Sequence, residues 1–209
     1  MLKASDLIDE AAEIAAAPAH PWVGRGALKL IHALDLWPIA VEGRVVLDVG
    51  ASTGGFTEVC LARRARRVFA VDVGRGQLHP SLGSDPRVDG LEATDARDLT
   101  ADLIPEAPGL VVSDVSFIGL AKALPAALAL AAEGADLVAL VKPQFEVGPG
   151  RVSKGGLVKD GAARIEALER VKEFLEAAGW TVQGTAPSPI EGGDGNREYL
   201  VWAVKRAAR

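Results

Sequence analysis

The sequence predicts an α/β fold of the doubly wound, Rossmann-like kind. It should have a mostly parallel sheet of about seven strands, helices on both faces and an antiparallel hairpin at the C-terminal end. Three observations carry this. Short β-branched runs alternate with helical segments between residues 44 and 179. The first run leads straight into a glycine-rich turn, "LDVGASTGGFT" at 47–57. The last two strand-like runs have no helix between them, so they must pair as a hairpin, with one running antiparallel at an edge.

The elements follow in order. Residues 1–20 are alanine-rich and amphipathic, a helical segment ending at Pro18 or Pro21. Leu28, Ile31 and Leu34 are spaced for a second helix over 25–36. "RVVLDVG" (44–50) is a buried strand, "FTEVCLARRA" (56–65) a helix and "RRVFAVDVG" (66–74) a second strand. "RVDGLEATDA" (87–96) is a weak third strand and "GLVVSDVSF" (109–117) a fourth. "KALPAALALAAEG" (122–134) reads as one helix and "ADLVALVKP" (135–143) as the fifth strand. A long helix over 160–179 ends at Gly179, as a glycine C-cap would. "WTVQGTAPSPI" (180–190) and "REYLVWAVK" (197–205) are the hairpin strands, joined by "EGGDGN". Residues 1–21 divide off as an N-terminal segment, and 22–209 form the main domain.

Composition narrows the function classes. A chain of 209 residues, 49% hydrophobic and 24% charged, can bury a full core. The single cysteine, Cys60, rules out an internal disulfide and suits a reducing cytoplasm. It falls at helical spacing and reads as a core residue. Asp6, Asp9, Glu10 and Glu13 are incompatible with a secretory signal. The most apolar stretch, 123–141, is broken by Pro125, Glu133, Gly134 and Asp136, which argues against a membrane span. His20, His32 and His79 lack ligand-like spacing, so no metal is expected. A net charge of −5 means that any RNA partner must be held by a local basic patch.

The ligand of the glycine loop has three candidates. "GASTG" fits a nucleophilic Ser52, but a hydrolase needs a histidine late in the chain, and only His79 follows. A dinucleotide needs a glycine where Ser52 stands, and Asp48 would repel its pyrophosphate. S-adenosylmethionine (SAM) has no phosphate, and its ammonium welcomes an acid. Asp48 would face that ammonium, with Gly50, Ser52, Gly54, Gly55 and Phe56 of the loop along the methionine part. Asp72, ending the second strand, would accept from both ribose hydroxyls. Asp95 and Ala96, after the third strand, would meet the adenine. Asp114 ends the fourth strand. Acids at successive strand ends converge on the carboxyl edge of the sheet, where such folds bind ligands. The ordered set favours SAM.

The methyl acceptor is read next. The D/N-P-P-Y/F loop of base-amino methylation is absent from "SDVSF", and cytosine C5 chemistry needs a cysteine at the site. A ribose hydroxyl instead needs alignment and a group that removes its proton. Lys142, followed by Pro143 at the end of the fifth strand, is the prime candidate. Asp114, Glu198 at the start of the last strand and Lys29 in the early helix complete the set. A lysine base must sit below its ordinary pKa, through burial or cationic neighbours.

The order Lys29, Asp114, Lys142, Glu198 resembles the K-D-K-E tetrad of the FtsJ-like ribose 2′-O-methyltransferases. "LDVGASTGGFTEVCL", "VDVGRGQL", "SDVSFIGL", "LVKPQFEVG" and "GGDGNREY" resemble, more closely, the TlyA or "hemolysin A" family over residues 20–204. The resemblance implies SAM-dependent methylation of cytidine 2′-hydroxyls in ribosomal RNA, a ribosomal RNA or subunit partner and a cytoplasmic setting. Nothing in the sequence supports the membrane lysis that the second family name suggests. Family members normally begin with an S4-type RNA-binding domain, and the resemblance implies that this chain lacks it. The family also commonly has Ser-Arg-Gly-Gly before the first lysine, where this chain has Gly24, Arg25, Gly26 and Ala27.

Candidate RNA contacts are Arg25 and, in the glycine-rich loop 148–159, Arg151, Lys154 and Lys159. Arg63, Arg64, Arg66 and Arg67 form a basic run that helix-end charge complementarity partly explains. Phe117 and Phe145 flank the expected target pocket, where either could pack a base or simply fill core. Trp22, Trp37, Trp180 and Trp202 read as structural. The competing function is a SAM-binding, non-catalytic RNA or ribosome-assembly factor.

Overall fold

The computed structural model describes residues 20–192 and 195–207. The helix expected at the N-terminus lies outside them, as do residues 193–194 of the final turn. In chain order the elements are α1 (Ala27–Leu36), β1 (Val45–Val49), α2 (Gly55–Ala62), β2 (Arg67–Val71), α3 (Pro80–Gly83) and β3 (Val88–Leu91). Then come β4 (Leu110–Ser113), α4 (Leu120–Ala123), α5 (Pro125–Leu130), β5 (Asp136–Val141) and α6 (Pro143–Glu146). Last are α7 (Gly161–Ala177), β6 (Trp180–Pro187) and β7 (Tyr199–Lys205).

The strands form one seven-stranded sheet, ordered β3-β2-β1-β4-β5-β7-β6. The first five pair in parallel; β7 runs antiparallel to both β5 and β6. The antiparallel strand is therefore inside the sheet, not at its edge. The reason is composition. β7 carries the buried Leu200, Val201 and Ala203, whereas β6 alternates between half-buried and exposed positions and bulges between Val182 and Gly184. The expected single helix over 122–134 is also two short ones. Pro125 lacks an N–H, so it starts α5 instead of continuing α4.

Both sheet faces are covered. On one, α1 and α2 pack Leu30, Ala33, Phe56, Val59 and Cys60 against Val46, Val68 and Val112. On the other, α4, α5 and α7 pack Leu120, Leu124, Leu128, Val171 and Leu175 against Leu47, Phe69, Val111 and Leu137. Asp160 caps α7 by accepting from the Ala162 N–H at 2.9 Å, and Gly179, with φ +86°, closes its far end. Because β1 is flanked by β2 and β4, the strand order reverses there. The β1–β4 mouth is where a doubly wound sheet opens a crevice for a ligand.

Candidate active site

Two cavities meet at that mouth. The larger, about 510 Å³, runs from Val49 and Gly50 past Asp72 and Thr94–Arg97 to Phe117 and Ile118. The smaller, about 280 Å³, lies between the α1 start, the loop 50–56 and the turn 190–192. They share Gly50, Ser52, Asp114 and Ser116.

The loop itself is shaped by its backbone. Gly50 has φ +83°, and a Cβ there would lie 3.0 Å from Val115 Cγ1, so the β1 and β4 exits can approach only with glycine. The Gly50 and Ala51 N–H groups both donate to the Val71 carbonyl, at 2.9 and 3.0 Å. Ser52 has φ +49°, and its N–H donates to Asp72 Oδ2 at 2.8 Å. Gly74 N–H donates to Asp72 Oδ1 at 2.7 Å. Asp72 is thereby fixed in orientation on the wall of the larger cavity, and each of its oxygens keeps a lone pair for a further donor. Gly55 and Phe56 line the smaller cavity; Gly54, with φ +97°, packs against Leu78 and Leu82 and lines neither.

Two expected contacts change. Asp48 does not reach the mouth of the loop. It is 0% exposed, points beneath α2 and accepts from Thr57 Oγ1 at 2.7 Å, while its Oδ1 has no partner. Burial pushes its carboxyl up to about 7; the Thr57 hydrogen bond opposes this and the Asp114 charge adds to it. Asp95 and Ala96 do line the larger cavity, but both Asp95 oxygens are engaged by Arg97, Nε at 2.9 Å and Nη2 at 2.6 Å. The Arg97 guanidinium, helped by the Arg97 N–H, holds Asp95 down to about 2. A second donor would have to share those oxygens.

Lys29, Asp114, Lys142 and Glu198 come together from four elements. Asp114 follows β4, Lys142 follows β5, Glu198 precedes β7 and Lys29 is on α1. Glu198 Oε2 accepts from Lys29 Nζ at 2.7 Å, and Lys29 Nζ donates to Asp114 Oδ2 at 3.3 Å. Lys142 Nζ lies 2.7 Å from Asp114 Oδ1, off the hydrogen-bond direction, and donates to Ser116 Oγ at 2.8 Å and to the Asp114 carbonyl at 3.3 Å. The result is a continuous, charge-balanced chain, Lys142–Asp114–Lys29–Glu198. Burial tolerates four charges only because each has an opposite partner. Lys29, Asp114 and Lys142 line the smaller cavity; Glu198 is behind the wall, under Gly192.

Of the candidate RNA contacts, Arg25 is exposed and lines the smaller cavity. Lys154 and Lys159 are exposed, but Arg151 is paired with Glu166 of α7. The basic run at 63–67 is neutralised: Arg63 pairs with Asp35, Arg64 with Glu42, Arg66 with Glu106, and Arg67 with Asp89 and Glu106. Phe117 is not core. It is 91% exposed with φ +67°, and its ring lies 5.5 Å from that of Phe145. Sequence reasoning missed Ser116, Thr53, Arg97 and the turn 190–192. Ser116 alone carried a signal, two residues beyond Asp114 in "SDVSF". Cys60 is fully buried, which pushes its thiol well up and leaves it inert.

A switch-point crevice with a glycine loop, strand-end acids and a second cavity joined to the first defines the Rossmann-like methyltransferase class. The chain belongs to the FtsJ-like methyltransferase family, whose pattern matches residues 22–205. It is 52% identical over 181 residues to the 16S/23S rRNA (cytidine-2′-O)-methyltransferase TlyA of Mycobacterium tuberculosis, an alignment spanning 87% of this chain and 68% of that relative. The Campylobacter jejuni 23S rRNA (cytidine-2′-O)-methyltransferase TlyA is 36% identical, over 88% of this chain and 71% of the relative. A solved candidate hemolysin from Streptococcus thermophilus superposes with a TM-score of 0.87 at 40% identity, covering 90% of this chain and 69% of that one.

Proposed function

We infer that this chain transfers a methyl group from SAM to the 2′-hydroxyl of a ribose, on cytidine in ribosomal RNA. The observation that carries it is the four-residue chain of charges on the wall shared by two cavities, one suited to a nucleoside with acids at its edge, the other opening beside Arg25. The names of the relatives supply the RNA and the nucleotide.

The larger cavity fits SAM. Its volume falls in the ordinary range for a small-molecule site. Val71, Val73 and Ile118 offer apolar walls for a flat ring, Asp72 two held acceptors for hydroxyls, and the loop 50–52 a close-approaching backbone. When bound, SAM supplies a methyl group on a sulfonium. Asp48 supports the loop from below through Thr57, without touching the ligand.

In the smaller cavity, Lys142, once its ammonium has released a proton to solvent, takes the proton of the ribose hydroxyl as the oxygen gains the methyl and S-adenosylhomocysteine leaves. Asp114 and Ser116 fix where its Nζ sits, so the hydroxyl meets a nitrogen held in one place. Lys29 compensates Asp114, and Glu198 orients Lys29. Exposed Phe117, at the rim of the larger cavity next to Ser116, presents a ring to the target base, while Arg25, Lys154 and Lys159 bind phosphates. Action on ribosomes sets the protein in the cytoplasm.

Tritium transfer from labelled SAM to ribosomal subunits, and in parallel to naked ribosomal RNA, tests the reading. Label should enter RNA and make the modified linkage resistant to alkaline cleavage, since that cleavage needs a free 2′-hydroxyl. Label on a base would refute ribose chemistry. No label, with SAM bound, would leave a ribosome-assembly factor instead.

A further inference from the structure

Asn196 is 2% exposed and lines neither cavity. Its side chain nevertheless makes two directed hydrogen bonds. Oδ1 accepts from the Val158 N–H at 3.0 Å, and Nδ2 donates to the Gly156 carbonyl at 2.9 Å. The partners fix which atom is which, because an N–H can meet only the oxygen and a carbonyl only the amide. Both partners belong to the segment that carries Lys154 and Lys159.

That segment is internally tight. Ser153 N–H donates to the Leu157 carbonyl at 3.0 Å, Gly156 N–H to the Ser153 carbonyl at 2.9 Å, and Leu157 N–H to Ser153 Oγ at 3.2 Å. Lys154 is thus carried on a small closed loop. Val158 anchors one side of it against Val147, Ala163 and Ala167. Among the described residues, the two Asn196 bonds are the side-chain hydrogen bonds that join it to the turn before β7.

The other end of Asn196 leads into the charge chain. Its carbonyl accepts from the Gly192 N–H at 2.9 Å, and Gly192 lines the smaller cavity. A Cβ on Gly192 would lie 2.5 Å from Glu198 Oε1, so the turn is seated directly on that carboxylate. Two residues after Asn196, Glu198 holds Lys29. Asp in its place would lack the donor and leucine both groups, while Gln would carry the same amide one methylene farther from the backbone.

We propose that Asn196 is a positioning residue that couples the lysine-bearing segment 154–159 to the Lys29–Glu198 pair, so that RNA gripped by the segment sets the geometry of the charge chain. The inference rests on the RNA-methylating reading above. It predicts a fault in coupling, not in cofactor binding. Asn196→Ala should keep SAM affinity within about twofold, lower kcat for methyl transfer roughly 10–100-fold, as a small misplacement of reacting groups does, and raise KM for RNA. Lys154→Ala should raise KM for RNA and also lower kcat at saturating RNA in the unaltered protein, and that kcat loss should vanish once Asn196 is alanine; an asparagine that merely holds the loop would move KM alone.

If Asn196→Ala does not fold, the milder Asn196→Ser should give the same pattern at smaller amplitude. Unaltered kcat and KM, additive effects of the two substitutions, or SAM affinity falling in step with kcat would each overturn the coupling while leaving the ribose reading intact. No transfer by the unaltered protein would instead remove that reading, and the inference with it.

Discussion

Asp48→Asn tests the electrostatics behind the glycine loop. The Asp48 carboxyl is raised from 3.8 to about 7 by burial. Between those values the folded protein holds a proton that the unfolded chain has released. Stability therefore falls as pH rises through the window from about 4 to about 7, and the loss is complete above it. From pH 5 to pH 8 the part of the window crossed is about two units, or about 3 kcal/mol at 1.36 per unit. Asparagine cannot ionise and keeps an acceptor for Thr57. Its amide nitrogen takes the place of the unpartnered Oδ1, at a fixed cost of about 1–3 kcal/mol that does not vary with pH. All other titrating groups are common to both proteins, so the difference between them isolates Asp48. Thermal unfolding at pH 5 and pH 8 should show the Tm gap moving in the variant's favour by about 6–12 °C, at roughly 2–4 °C per kcal/mol for a domain of this size. A gap that stays the same at both pH values would refute the buried, protonated carboxyl. SAM affinity that collapsed in the variant would return Asp48 to the ligand's side of the loop.

Asp72→Ala should weaken SAM binding by roughly 10–100-fold in calorimetry, the loss expected when one charge-assisted acceptor goes; unchanged affinity would remove Asp72 from the site. Glu92 accepts from the N–H groups of Gly76, Gln77 and Leu78 at 2.9, 2.7 and 3.1 Å, and so holds the loop from which Gln77 lines the larger cavity. Glu92→Ala should therefore raise the Kd for SAM roughly 3–10-fold by unfixing that loop, with KM for RNA unmoved. Phe117→Ala should leave Tm within about 1 °C, because an exposed ring contributes little to folding, yet raise KM for ribosomal RNA; an intact KM would show that the ring does not meet the substrate.

Much of the fold was legible because strand and helix periods are written locally. The mostly parallel character of the sheet, the glycine at 179 that closes α7 and the strand-end positions of Asp72, Asp114 and Lys142 needed only short windows of sequence. What failed is not written in those periods. All five residues of β1 are buried, so no alternation distinguishes its faces, and the direction of Asp48 could not be read. Asp95 reads as a free acceptor in the sequence, because its capture by Arg97 two residues on depends on a side-chain rotamer. The position of β7 between β5 and β6 is a pairing choice between two hairpin strands. The charge chain was legible as a set of residue types from four separate segments. Its connectivity, with Ser116 at one end and Glu198 behind the wall, required the fold to bring those segments together.

The central claim is that Lys142 handles the proton of a ribose hydroxyl, and single-turnover methyl transfer to ribosomal RNA tests it most directly. Lys142→Ala, with SAM affinity measured alongside and nearly unchanged, should lower the rate by about 10²–10⁴-fold, the usual contribution of a positioned acid–base group. Lys142→Arg should not restore it, since a guanidinium keeps the charge opposite Asp114 but does not give up a proton near neutrality. Transfer by Lys142→Arg at close to the unaltered rate would contradict the account and leave Lys142 as an electrostatic clamp.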